Sequence, residues 1–323
     1  MNRAVSFLCI FLLAGCADAP RDNPLDPLSP RYTGETMLSG SVLLKFVGTP
    51  VPLARIQVLG ISVTSDSMGR FVIQRLPAGS LTVVCTKENF DPDTQHVTLT
   101  AGQSQSVTFL VNGAPVVLSQ NILTRKIDQY YPSAQYYVDV SASVTDPNGI
   151  SDLDSVWFLA GTNLYAMAYD PSSKQFLARV FKYDIPTNTI EWLVGRPLHI
   201  LSKDLSGALD TSTAFYVSRV IDEEATPQYP SSLNNDTTGG APLLKWLAPT
   251  VTFAFTYTLT ISRVDAGVET VVWELPNLNS LLVQYQYPST ATPLDPGDYT
   301  WSVTIVDEFG NLCRSKESSF VVQ

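Results

Sequence analysis

Along much of this chain apolar and polar residues alternate one for one. Val138, Val140, Ala142 and Val144 stand against Asp139, Ser141 and Ser143. Phe253, Phe255, Tyr257, Leu259 and Ile261 form a second such run, and Tyr299, Trp301, Val303 and Ile305 a third. A period of two puts each set on one face of a β-strand. Turn formers separate the runs: Asp66-Ser67-Met68-Gly69, Leu76-Pro77-Ala78-Gly79, Ala101-Gly102, Asp146-Pro147-Asn148-Gly149, and the stretch from Asp307 to Asn311. The pattern predicts strands over 41–47, 54–63, 70–74, 80–86, 95–100 and 105–111. Others are expected from Val156 onward, near 175–183, 190–193, 197–203 and 214–221, then over 244–246, 271–273 and 320–322. Residues 222–241 are polar and rich in Pro and Gly, and are expected as a linker.

The resulting fold class is all-β: three tandem β-sandwich domains over 34–112, 113–221 and 242–323. Before them, residues 1–15 have the layout of an export signal. Arg3 is followed by an apolar run to Leu13 and by small residues. The run is too short to span a bilayer, which needs roughly 20 residues. Leu13, Ala14 and Gly15 directly before Cys16 resemble a bacterial lipobox. A plain secretory signal is the other reading of the same residues. The resemblance implies cleavage before Cys16 and a diacylated thiol carrying chains such as palmitate, with the new amine acylated as well. That exceeds the two-chain requirement for stable attachment. Ala17, where an inner-membrane retention signal carries Asp, implies the outer membrane, on either its periplasmic face or the cell surface. Residues 16–33, with Pro20, Pro24, Pro27 and Pro30, read as an extended tether. Within it, Asp22-Asn23-Pro24-Leu25-Asp26-Pro27 resembles the start of many surface lipoproteins of the Bacteroidetes and related phyla.

Three further resemblances concern the folded part. Gly40-x-Val42, Pro52-Leu53-Ala54-x-Ile56-x-Val58, Gly69-x-Phe71 and Leu76-Pro77-Ala78-Gly79 are similar to a carboxypeptidase regulatory-like domain of transthyretin type, which implies a scaffold. The stretch from Val144 through Asp146-Pro147-Asn148-Gly149 to Val156 resembles bacterial immunoglobulin-like modules. Leu294-Asp295-Pro296-Gly297-Asp298-Tyr299 resembles the tyrosine corner of fibronectin type III domains, with one residue fewer between Gly and Tyr.

Composition narrows the function. Only 15% of residues are charged, and the formal charge is −10, or −11 once Arg3 leaves with the signal. An acidic surface repels phosphate backbones, so no nucleic-acid partner is expected. Cys9 lies in the signal and Cys16 in the lipobox, which leaves Cys85 and Cys313, expected as small buried hydrophobes. His96 and His199 are the only histidines, both expected at the surface. Cys85 and His96 form the one nearby nucleophile–base candidate.

No catalytic motif stands out, and the chain is expected to be non-enzymatic. Asp146, Asn148, Asp152 and Asp154 place several oxygen ligands on one loop, as calcium requires; a turn with solvated carboxylates accounts for them equally. Tyr130, Tyr131, Tyr136 and Tyr137 suit glycan stacking or protein contact, and suit sandwich edges as well. The leading expectation is a membrane-anchored module that binds a protein or glycan at the envelope, with no cofactor beyond the covalent lipid and the calcium candidate. The alternatives are a structural spacer or assembly factor, and a hydrolase whose carboxylate pair leaves no trace in sequence.

Overall fold

In a computed structural model of the chain, Ser29 and residues 36–130, 132–234 and 236–323 are described. The lipobox, Cys16, nearly all of the tether and Tyr131 lie outside the described residues. The chain divides into two compact units, Met1–Gly113 and Ala114–Gln323.

The first unit is a β-sandwich of two sheets. Its strands are β1 (Thr36–Leu44), β2 (Arg55–Val58), β3 (Ile61–Thr64), β4 (Arg70–Leu76), β5 (Gly79–Thr86), β6 (Asp93–Leu99) and β7 (Ser104–Val111). One sheet has the order β4-β1-β7, the other β3-β2-β5-β6. Leu38, Val42, Ile56, Phe71, Val83, Cys85 and Phe109 fill the space between them. β1 runs parallel to β7, with Gly40 opposite Val107. A Cβ on Gly40 would stand 2.0 Å from the Val107 carbonyl oxygen, so this close approach admits only glycine. Gly69, at φ 71°, closes the expected turn, where Asp66 accepts the Met68 and Arg70 N–H groups at 2.8 Å each.

The single strand expected over 54–63 is in fact the hairpin β2–β3. Leu59 (φ 48°) and Gly60 (φ 82°) both turn left-handed, and Val58 faces Ile61. Two positive φ values in succession are those of the tight turn that hairpins favour.

The second unit holds two cores. Its strands are β8 (Val116–Ile127), β9 (Gln135–Thr145), β10 (Leu153–Ala160), β11 (Asn163–Asp170), β12 (Gln175–Phe181), β13 (Leu198–Asp204), β14 (Leu209–Thr211), β15 (Thr226–Tyr229), β16 (Thr237–Thr238), β17 (Leu243–Leu247), β18 (Phe255–Asp265), β19 (Val268–Asn279), β20 (Gln284–Gln286), β21 (Gly297–Asp307), β22 (Leu312–Arg314) and β23 (Ser318–Val322). Val138, Val140, Ala142 and Val144 all point into the first core, beside Phe158, Leu193 and Ile200. Tyr257, Leu259, Ile261, Trp301, Val303 and Ile305 build the second. The Tyr299 hydroxyl donates to the Asp295 carbonyl at 2.9 Å, so the tyrosine corner forms despite its shorter spacing.

Three expectations are corrected here. Residues 190–193 are a 3-10 turn rather than a strand, with Ile190 and Leu193 buried three positions apart, where such a turn superposes its side chains. The strand expected over 214–221 is irregular apart from a bridge between Phe215 and Leu198, though Val217 and Ile221 are buried. The linker expected over 222–241 carries β15 and β16 and buries Ala225 in the second of these two cores.

One continuous sheet runs through both cores of this unit, in the order β14-β13-β10-β11-β12-β9-β8-β22-β21-β18-β19. Its seam is the parallel pairing of β8 with β22, which sets Arg125 opposite Leu312 and Lys126 opposite Cys313. Asn311, fully buried, ties the seam. Its Oδ1 accepts the Thr124 N–H at 2.9 Å, and its Nδ2 donates to Ser218 Oγ at 2.8 Å and to Asp307 Oδ2 at 3.0 Å. Arg219 reaches the same buried carboxylate at 2.8 Å while its guanidinium lies 4.1 Å from the centre of the Phe253 ring.

Candidate functional site

The turn after β9 gathers the densest chemistry. Asp146 closes the strand, and its Oδ1 accepts the Asn148 N–H at 2.6 Å. Gly149 (φ 102°) donates its N–H to the Asp146 carbonyl, and the Asp152 N–H donates to the Gly149 carbonyl. This double turn brings Asp152, 2% exposed, back toward Asp146. Across from it, β13 ends on Asp204, which is wholly buried and faces Leu153 in the ladder. Asp204 Oδ1 accepts the Ala208 N–H at 2.7 Å. Carboxylate oxygens of Asp146, Asp152 and Asp204 lie within 4.8 Å of one another. Burial pushes the Asp146 carboxyl up to about 6; the Asn148 N–H lowers it, and the charges of Asp152 and Asp204 raise it further.

The structure brings together only part of the expected set. Asp146 and Asp152 come together, and Asn148 is buried in the same turn. Asp154 does not join them. The ladder slips between Leu153 and Ser155, so Asp154 is the extra residue of a bulge. It turns outward, with Ser155 Oγ at 2.9 Å and Lys203 Nζ at 3.8 Å. Asp204 takes the place expected for Asp154. Oxygens bound to one calcium at 2.3–2.6 Å stand at most about 5 Å apart, so three carboxylates at this spacing fit a single hard cation. No nitrogen or sulfur donor belongs to the group.

The tyrosines separate. Tyr130 is 69% exposed, its N–H donates to Glu317 Oε1 at 2.9 Å, and the Lys316 ammonium lies 5.2 Å from its ring centre. Tyr136 is half-buried between the ammonium groups of Lys126 and Lys182, at 5.4 and 4.6 Å. Burial chiefly raises its phenol above the ordinary value. Tyr137, expected as a partner contact, points to the opposite face of β9 and is only 9% exposed. Phe181 packs on it and the Arg179 guanidinium covers it at 4.2 Å. It is closed to a partner.

The remaining nucleophile candidates do not converge. Cys85 is buried in the core of the first unit, and burial pushes its thiol up to about 11. His96 faces Thr82 across β5 and β6, on the solvent side, with its Nδ1 3.1 Å from Thr82 Oγ1. Cys313 is also a free, buried thiol, pushed up to about 12 chiefly by burial. His199 is half-buried and lies beside the Ser212 carbonyl at 3.0 Å.

Residues 37–112 match the carboxypeptidase regulatory-like domain family, in agreement with the sandwich of the first unit. No curated protein matches the chain. Among solved structures, the chain is similar to BcpA, the major pilin subunit of Bacillus cereus, at 12% identity and a TM-score of 0.31, covering 90% of this chain and 95% of that one. It is similar to the fibronectin(III)-like modules of Clostridium thermocellum CbhA at 13% identity and a TM-score of 0.29, over 65% and 94%. A DUF3823 family protein from Bacteroides ovatus gives 12% identity and a TM-score of 0.25, over 56% and 97%.

Proposed function

We propose that this chain is a non-catalytic binding module, held at the outer membrane by lipid on Cys16 and lifted from it by the proline-rich tether. The observation that carries the binding role is the exposed ring of Tyr130 at the seam of the second unit. The backbone N–H of Tyr130 donates to Glu317 Oε1, and the residue lines a cavity of about 590 Å³. Two cores joined by one sheet give that ring a firm base, as recognition by a few anchoring aromatics requires.

Exposing the purified chain to detergent-extracted envelope proteins and glycans tests the role. One component should be retained by the wild-type chain and lost when Tyr130 is changed to Ala with the fold intact. A pure spacer retains nothing.

Calcium at Asp146, Asp152 and Asp204 is the structural part of the same proposal. The folded-state carboxyl of Asp146 stands above its ordinary value. Its contribution to stability is therefore present below about pH 4 and is lost as the pH rises toward about 6. A divalent cation relieves the crowded charge once the pH is above that range. Calcium at about a hundred times its Kd should stabilise the second unit by about 2.7 kcal/mol, or roughly 5–10 °C in Tm. The gain should be large at pH 7.5, small at pH 5 and absent in Asp204→Asn. Thermal unfolding with calcium and with EGTA reads it directly, and equal Tm values at pH 7.5 would eliminate the site.

A further inference from the structure

The cavity beside Tyr130 has an uncommon lining for a protein surface. Glu224, Glu269 and Glu317 supply three carboxylates and Lys316 one ammonium. Hydroxyls of Thr226 and Ser318 stand among them. Glu317 is held in place because its Oε1 accepts the Tyr130 N–H. Its other oxygen, Oε2, is buried without a hydrogen-bond partner. Burial chiefly raises the half-buried Glu224 carboxyl. A second cavity of about 500 Å³ shares Glu269, Thr300 and Ser319 with the first, so the groove continues past them.

We propose that this groove is a saccharide cleft that takes a neutral sugar chain. The inference rests on the binding role given above and names its ligand class. A sugar ring offers an apolar C–H face and a rim of hydroxyls. The exposed Tyr130 ring fits the face. Carboxylate oxygens such as those of the exposed Glu269 accept from the rim through charge-assisted hydrogen bonds. The balance of three carboxylates to one ammonium repels acidic polysaccharides and phosphate groups. A volume in the usual range for bound ligands, continued by the neighbouring cavity, suits a chain of rings rather than one.

The experiment uses the full chain purified in detergent. It is screened against an array of neutral oligosaccharides, and the best ligand is then titrated by calorimetry, with spermine as a cationic control. One neutral oligosaccharide should bind. Tyr130→Ala should weaken it about tenfold and Glu269→Gln several-fold, with Tm unchanged in both. The conservative Tyr130→Phe should keep most of the affinity. No neutral glycan bound at millimolar concentration, binding indifferent to both variants, or binding of spermine alone would each overturn the cleft. If glycans fail while an envelope protein is still retained through Tyr130, the saccharide inference falls and the broader binding role stands.

Discussion

Asn311→Ala should destabilise the second unit by about 3–5 kcal/mol, among the largest effects available to one side chain in this chain. The Asn311 side chain touches three other segments. It accepts from Thr124 of β8, and donates to Ser218 and to Asp307 at the end of β21. Removing it strands the Thr124 N–H in the interior, at about 1–3 kcal/mol. It also takes a donor from a carboxylate whose side chain is fully buried, where the lost bond is charge-assisted. The methyl group left behind cannot recover either loss. In urea, the midpoint should fall by roughly 2 M at an unchanged slope of about 2 kcal/mol/M. Because the sheet is continuous across the seam, both cores should unfold in one transition. Trp192 reports on one core and Trp301 on the other. Two separate transitions would show that the seam does not couple them. The consequence reaches the proposed site, since Tyr130 and Glu317 meet directly beside this seam.

How much of this was legible in the sequence depends on how local each feature is. Clean alternation identified β9, β18 and β21, because burial of one face imposes a period of two on any half-buried strand. The turn at Gly69 was legible because glycine is the residue that tolerates its φ. The Leu59-Gly60 turn was missed because apolar residues stand on both sides of it without a polar break, although Ile61 and Val63 fall in the opposite phase to Ile56 and Val58, the slip that a two-residue turn introduces. Residues 222–241 read as a linker because polar composition measures solubility, whereas buried Ala225, just after the fully buried Ile221, fixes the segment to the second core of the second unit. The metal candidate divided the same way. Asp146 and Asp152 share one turn and were visible together. Asp204 arrives through the pairing of β10 with β13, a contact that no local pattern encodes. Its one sequence cue is its place at the end of an alternating strand, just before the turn that contains Gly207. The bulge that turns Asp154 away is equally a property of strand register rather than of composition.

The other large effect is all-or-none. Leu13-Ala14-Gly15-Cys16 follows an apolar run too short to hold a chain in a bilayer as a spanning helix. No helix among the described residues is long and apolar enough to cross a membrane. In the function proposed above, attachment rests on covalent lipid at Cys16. Two or three acyl chains, at about 0.8 kcal/mol per buried CH₂, give stable anchoring where a single chain gives only reversible contact. On that proposal, replacing one sulfur atom removes the site of diacylation and the signal for cleavage together. Cys16→Ala should accumulate as the uncleaved precursor and carry no lipid, whatever its folded units do. Since residue 16 lies far before β1, the Tm of both units should be unchanged.

The measurement that bears most directly on the account is the mass and acyl content of the chain expressed with its own signal in a Gram-negative host, fed with labelled palmitate. The account predicts a mature protein that begins at Cys16, carries the label and fractionates with the outer membrane, and a Cys16→Ala chain with no label at all. A wild-type protein without label, or one cut elsewhere and released in soluble form, would contradict it and leave a secreted β-sandwich protein in its place.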